Sequence, residues 1–245
     1  MTRLPVELDR LYAVADGPSP ASLVDAQGRT RALVLELAQP SGWDALAPLW
    51  QGVQAELELP APAIAVSGLD AIQLWFSLES PVDAGRARDF LAALRDGFLA
   101  DVPTARVRLW PDAATPVHHA ARVPALQAST GNWSAFVSPD LITVFSDTPW
   151  LDIEPGDDGQ AALLRPLQSI KPAAFDAALA RLRAQASRAI APAPTGATVA
   201  APPNSALPED DPRRFLLRVM NDESADLALR IEAAKALLAA RDSRA

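Results

Sequence analysis

The chain has 245 residues, 49% of them hydrophobic, enough to bury a substantial core in one large domain or one domain with an appendage. Its 30 acidic residues outnumber 22 basic ones, for a formal charge of −8; this opposes the nonspecific phosphate attraction most nucleic-acid binders use, so any DNA or RNA contact has to be local. With no cysteine, the chain excludes disulfides, thiolate zinc sites and cysteine nucleophiles and fits a reducing cytoplasm, its expected location.

From Met1 to Ala15, Arg3, Glu7, Asp9 and Arg10 interrupt the apolar residues, which predicts a short amphipathic helix rather than a secretion signal. No run approaches the roughly twenty apolar residues of a membrane span. Ser22 to Asp25, then Gln27-Gly28, then Thr30 to Ala38 predict a hairpin opening a sheet. Leu46, Leu49, Trp50, Val53 and Leu57 recur at helical spacing and predict a helix over 43–57, with Pro48 in its first turn, where a missing amide costs little.

Ile64 and Val66 share a strand face, Ser67-Gly68-Leu69-Asp70 turns the chain, and Ile72, Leu74, Phe76 and Leu78 alternate with Gln73, Trp75 and Ser77. Ser80-Pro81, followed by Val82, Phe90, Leu91, Leu94 and Phe98, predicts a helix with proline at its start and an end near Ala100. Val107 and Leu109 then point to the core from a further strand. The order strand, helix, strand, strand, helix, strand over 30–110 predicts an α+β fold with a ferredoxin-like, RRM-like βαββαβ core. Two helices cover one face of such a sheet, and the other can stay open.

Prolines at 111, 116, 124, 139, 149 and 155 break the next segment into loop with short strands or turns, such as Ser134 to Val137 and Leu141 to Phe145. Helical periodicity returns over 157–189 in two pieces expected to cap the sheet, closing a domain over 1–189. Residues 190–212 are rich in proline, alanine and serine and predict a tether. Residues 213–245 predict a helical hairpin, too small to be stable alone and therefore expected to dock on a protein partner.

Strand alternation sends Val34, Glu36, Ser67, Gln73, Trp75, Ser77, Arg106, Arg108 and Trp110 to the face away from the two helices. Arginine beside tryptophan there offers a route to nucleotide or nucleic-acid binding, the guanidinium holding phosphate and the indole stacking a base. The alternative is an ordinary solvated face, or one covered by residues 111–189.

Three stretches, Leu33 to Ala38, Ile64-Ala65-Val66-Ser67-Gly68 through Gln73-Leu74-Trp75-Phe76, and Leu126-Gln127 to Gly131-Asn132-Trp133-Ser134-Ala135-Phe136-Val137, resemble the core of archaeo-eukaryotic primase-polymerases of plasmid, phage and mobile-element type. The resemblance covers residues 30–150. In that family the first strand carries two acidic residues one position apart that bind divalent metals, and the strand after the Ser-Gly turn carries a histidine that contacts the nucleotide. Here the pair becomes Glu36 and Ala38, and the histidine becomes Gln73. Since two-metal transfer needs several carboxylates, the resemblance implies a copy with degenerate catalytic motifs. A second likeness, from Phe215 to Asp222 and Leu229 to Leu238, is to a helical segment of small-terminase-like phage proteins; a plain helical hairpin has the same pattern.

His118 and His119, the two histidines, point apart in an extended segment and read as surface or loop residues. Asp147, Asp152, Glu154, Asp157 and Asp158 read as a solvated acidic loop, lacking the calcium-loop spacing. Neither a phosphate-binding glycine loop nor a Gly-x-Ser-x-Gly elbow occurs, and Ser67 lacks a nearby base. The expected function is a non-catalytic primase-like module binding a protein partner or nucleic acid, with no cofactor. The alternatives are an active nucleotidyltransferase using Mg or Mn, with Glu36, Asp152 and Glu154 as its acids, and a purely structural interaction protein.

Overall fold

The computed structural model describes residues 3–17, 22–40, 42–114 and 116–190. The chain divides into two units, Met1–Ala193 and Pro194–Ala245; the predicted tether from residue 191 onward and the helical hairpin over 213–245 lie outside the described residues.

The described part is α+β. Its helices are α1 (Arg3–Leu11), α2 (Gly42–Ala55), α3 (Ala84–Phe98), α4 (Asp157–Leu164) and α5 (Pro172–Ile190). Its strands are β1 (Arg29–Ala38), β2 (Ala63–Val66), β3 (Ala71–Asp83), β4 (Val107–Trp110), β5 (Ala125–Leu126) and β6 (Trp133–Val137). They form one six-stranded antiparallel sheet in the order β4-β1-β3-β2-β6-β5.

Alternation along the strands separates two cores. Leu33, Leu35 and Leu37 of β1 join Ile64, Val66, Ile72, Leu74, Phe76 and Val107 beneath α2, α3 and α5, with Leu49, Phe90, Leu94 and Phe175 meeting them from the helices. The opposite face is not open. Val34, Ala65, Trp75 and Phe136 on that side are buried under Leu4, Leu11 and Tyr12 from α1 and its end, Leu23, Ala120 and Val123 from loops, and Ala161 and Leu164 of α4. Burying an apolar surface on both sides removes more of it from water than a one-sided sheet could, at roughly 25 cal/mol per Å².

Three predicted elements differ in detail. Residues 22–28 make a single bridge, Val24 to Thr30, instead of a strand pair; Asp25 tightens that turn, its Oδ1 accepting from the Gln27 and Arg29 amides at 2.9 and 2.8 Å. Pro48 falls in the second turn of α2, because the helix begins at Gly42. Pro81 lies in β3 rather than at a helix start: the strand runs on to Asp83, whose carboxylate then caps α3 by accepting from the Arg86 amide at 2.9 Å.

β6 is the addition that sequence periodicity did not place. It pairs with β2 through Ala65 and Phe136, and it continues past the end of the short β5. Where β5 is missing, the buried Gln160 side chain of α4 stands in, accepting from the Phe136 amide at 2.7 Å and donating to its carbonyl at 3.0 Å. The described residues contain no helix long and apolar enough to cross a membrane.

Candidate functional site

Glu36 sits near the end of β1, opposite Gln73 of β3 on one side and Arg108 of β4 on the other. Because paired residues in a sheet point to the same face, three polar side chains meet on the face that carries the second core. Arg108 Nη1 donates to Glu36 Oε1 at 2.7 Å, and Gln73 Nε2 donates to Glu36 Oε2 at 2.7 Å. The chain of bonds continues inward, Trp75 Nε1 donating to Gln73 Oε1 at 2.8 Å. Glu36, Gln73 and Trp75 are all buried, whereas the Arg108 side chain is 53% exposed. The network therefore carries a buried carboxylate to a solvent-facing guanidinium.

Above it lies a cleft of about 130 Å³, bounded by the Ser67–Asp70 turn, Arg108, Trp110, Arg122 and Gln127. The Ser67 hydroxyl holds the turn, accepting from the Leu69 and Ala71 amides at 3.1 and 3.0 Å. Gly68 adopts φ +80° and packs so closely on β6 that an added Cβ would stand 2.8 Å from the Ser134 amide nitrogen. A larger depression of about 850 Å³ adjoins it, between residues 22–28 and 116–122; the two share Ala120 and Arg122 as lining.

Of the residues singled out in the sequence, Glu36, Ser67, Gln73, Arg108 and Trp110 line this cleft. Trp75 does not: it is 2% exposed, edge-on to Tyr12 and Phe136 with ring centroids 5.4 and 6.0 Å away. The expected open stacking platform is thus a core indole, because α1 and α4 cover the face. Arg106 folds back, donating from Nη2 to the Ala38 carbonyl at 2.7 Å, with its Nε buried and unpartnered among the described residues. Trp110 Nε1 is buried without a partner in the same way.

The histidines also separate. His118 is exposed beside Asp112, Nδ1 to Oδ2 3.4 Å. His119, expected as a surface or loop residue, lies in a loop but is mostly covered: its Nε2 bonds the Ala32 carbonyl at 2.8 Å on the outer edge of β1, and its Nδ1 is buried without a partner. Burial pushes its pKa below the usual imidazole value, against smaller opposing contributions from the Ala32 and Ala120 backbone and Asp112. Asp147, Asp152, Glu154, Asp157 and Asp158 are exposed and none lines the cleft.

Alternation put Ser67 on this face and its segment read as a turn, but it missed Asp70, Arg122 and Gln127 as cleft residues. Each sits on a turn or loop, and the only local signal was the Ser-Gly pair itself. A pair of divalent cations does not fit the donor set. Both Glu36 oxygens are engaged, Asp70 is the one other acid on the cleft lining, and the described residues contain no group of three or more His, Cys, Asp or Glu arranged to hold a metal. No family model matches the chain, and no curated protein matches it.

Proposed function

We propose that this chain is a primase-like module of the plasmid, phage and mobile-element type that acts by binding and not by nucleotidyl transfer. In this reading β1 to β4, ordered β4-β1-β3-β2 with α2 and α3 between them, are a ferredoxin-like core, and β6 and β5 extend it beyond β2. The Glu36–Arg108 contact carries the proposal. At the position where the resemblance puts the first metal-binding acid, the carboxylate already has a cation 2.7 Å away, supplied by the protein itself. A metal there would have to displace a guanidinium and then find further carboxylates that the cleft lacks.

The working surface is the cleft beside that pair, since it is where polar side chains of the face that carries the second core reach solvent. A nucleotide-incorporation assay on primed and unprimed templates, with Mg or Mn and protein at high concentration, tests the proposal. No incorporation is expected from the wild type. Incorporation that disappears in Glu36→Ala would overturn it and favour the active nucleotidyltransferase.

A further inference from the structure

Building on that reading, we infer that the cleft binds a phosphate group directly, with Arg108 and Arg122 in the place a metal ion would otherwise take. Arg108 spends one nitrogen on Glu36; its other guanidinium N–H groups make no hydrogen bond to the described residues, and its side chain is 53% exposed at the cleft wall. Arg122 makes no hydrogen bond or ion pair with any described residue and lies on the lining common to the cleft and the larger depression. Two arginines on the lining of one small cavity supply fork-shaped donor sets matched to tetrahedral oxyanions, without the dehydration a divalent cation requires.

Size and charge narrow the ligand. A volume of about 130 Å³ equals that of about four liquid waters at ~30 Å³ each, room for one or two phosphate groups and not for a nucleoside. The remainder of a larger ligand would extend past Arg122 into the depression. Of the acids on the cleft lining, Glu36 is neutralised by Arg108 and Asp70 is exposed on its turn, leaving Arg122 as the cation without a described counter-ion. Gln127 adds a polar group on the same wall.

The test is titration of the full chain with pyrophosphate in EDTA, followed by calorimetry or amide NMR. Saturable binding is expected in EDTA, with no requirement for Mg, and weakened about tenfold or more in Arg122→Ala, the loss of one charge-assisted contact. Arg108→Lys, which keeps a charge beside Glu36 but loses the fork, is expected to weaken it as well; this variant guards against the instability that truncating Arg108 brings. Two further arms identify the source of the phosphate. A mononucleotide that binds as pyrophosphate does marks a small free ligand, whereas an oligonucleotide that binds far more tightly, with steep salt dependence, marks a strand. Absence of saturable binding, binding that requires Mg, or equal binding by Arg122→Ala overturns the inference; with no nucleotide incorporation in the separate assay, the binding-module reading stands without it.

Discussion

Glu36 and Arg108 face each other across the β1–β4 ladder, and their 2.7 Å contact joins a buried carboxylate to a guanidinium that is half in water. The two partners are therefore unequal in what their loss costs. Arg108→Ala leaves a buried carboxylate held by Gln73 alone; Glu36→Gln leaves a guanidinium that water can solvate. Removing one member of a fully buried pair costs about 3–5 kcal/mol and of an exposed pair under about 1. Arg108→Ala should fall between, about 1–2 kcal/mol, and Glu36→Gln nearer zero. Urea unfolding checks the order, and the double variant should recover part of the Arg108→Ala loss. Equal losses in both single variants would contradict the asymmetry.

Gly68 and Gly131 both adopt positive φ, +80° and +77°, but only Gly68 is enclosed: an added Cβ would meet Gln127 Cγ at 2.7 Å and the Ser134 nitrogen at 2.8 Å, while nothing lies within 4 Å at Gly131. Gly131→Ala should cost only the left-handed backbone penalty, about 1–2 kcal/mol. Gly68→Ala should cost clearly more, because backbone of β6 has to move, and it should also loosen the cleft rim. Thermal unfolding of the two variants separates backbone strain from steric clash.

The strand faces were legible because alternation is local. Leu33, Leu35 and Leu37 against Val34 and Glu36 suffice to put Glu36, Gln73 and Arg108 on one side. Cover by residues 111–189 was one of the readings and Ala120, Val123, Ala161 and Leu164 supply part of it; that the N-terminal helix joins them, and which residues converge, was not legible. Leu4, Tyr12, Leu23, Ala120, Val123 and Leu164 come from a short helix, two loops and a late helix, with no shared period to announce that they converge. Trp75 suffered from this most: its face was right, and its solvent exposure depended on residues more than forty positions away. The place of β6 was hidden for a related reason. Its partner β2 lies about seventy residues earlier, and a four- or five-residue apolar run carries no record of whom it pairs with. Pro81 misled differently, since proline suits a first helical turn, but Asp83 provides the cap two residues later and the strand persists until then.

Gln160 joins α4 to the sheet by satisfying both backbone groups of the buried Phe136. Truncation to alanine would strand an amide and a carbonyl in the second core, each costing about 1–3 kcal/mol when water cannot reach it. Gln160→Ala should therefore destabilise by roughly 2–4 kcal/mol. Gln160→Glu should not rescue it, since a carboxylate can accept from the Phe136 amide but, when ionised, cannot donate to the carbonyl. Hydrogen exchange at the Phe136 amide should accelerate in Gln160→Ala; protection equal to wild type would show that another group closes the edge.

His119 closes the other exposed edge, its Nε2–H donating to the Ala32 carbonyl between the Val24–Thr30 bridge and the start of the β1–β4 pairing. That bond leaves Nδ1 as the unprotonated nitrogen, buried and without a hydrogen-bond partner, so a second proton would place a charge out of water, a cost that outweighs the support of the Ala32 and Ala120 backbone and Asp112. Burial consequently lowers the folded-state pKa below 6.5. As pH falls below about 6.5, the unfolded chain takes up a proton that the native state refuses, so stability should decline until pH passes the folded-state value, with a slope of at most about 1.4 kcal/mol per pH unit from this one group. Urea unfolding at pH 7.5 and 5.5 measures the decline. His119→Gln keeps an amide donor for Ala32 and has nothing to titrate, so it should reduce the pH dependence by this one group's share. Because Trp75 lies 6.3 Å from the imidazole, centroid to centroid, its fluorescence should also respond to acid in the wild type and not in His119→Gln; an identical pH dependence in the two proteins would place the titrating group elsewhere.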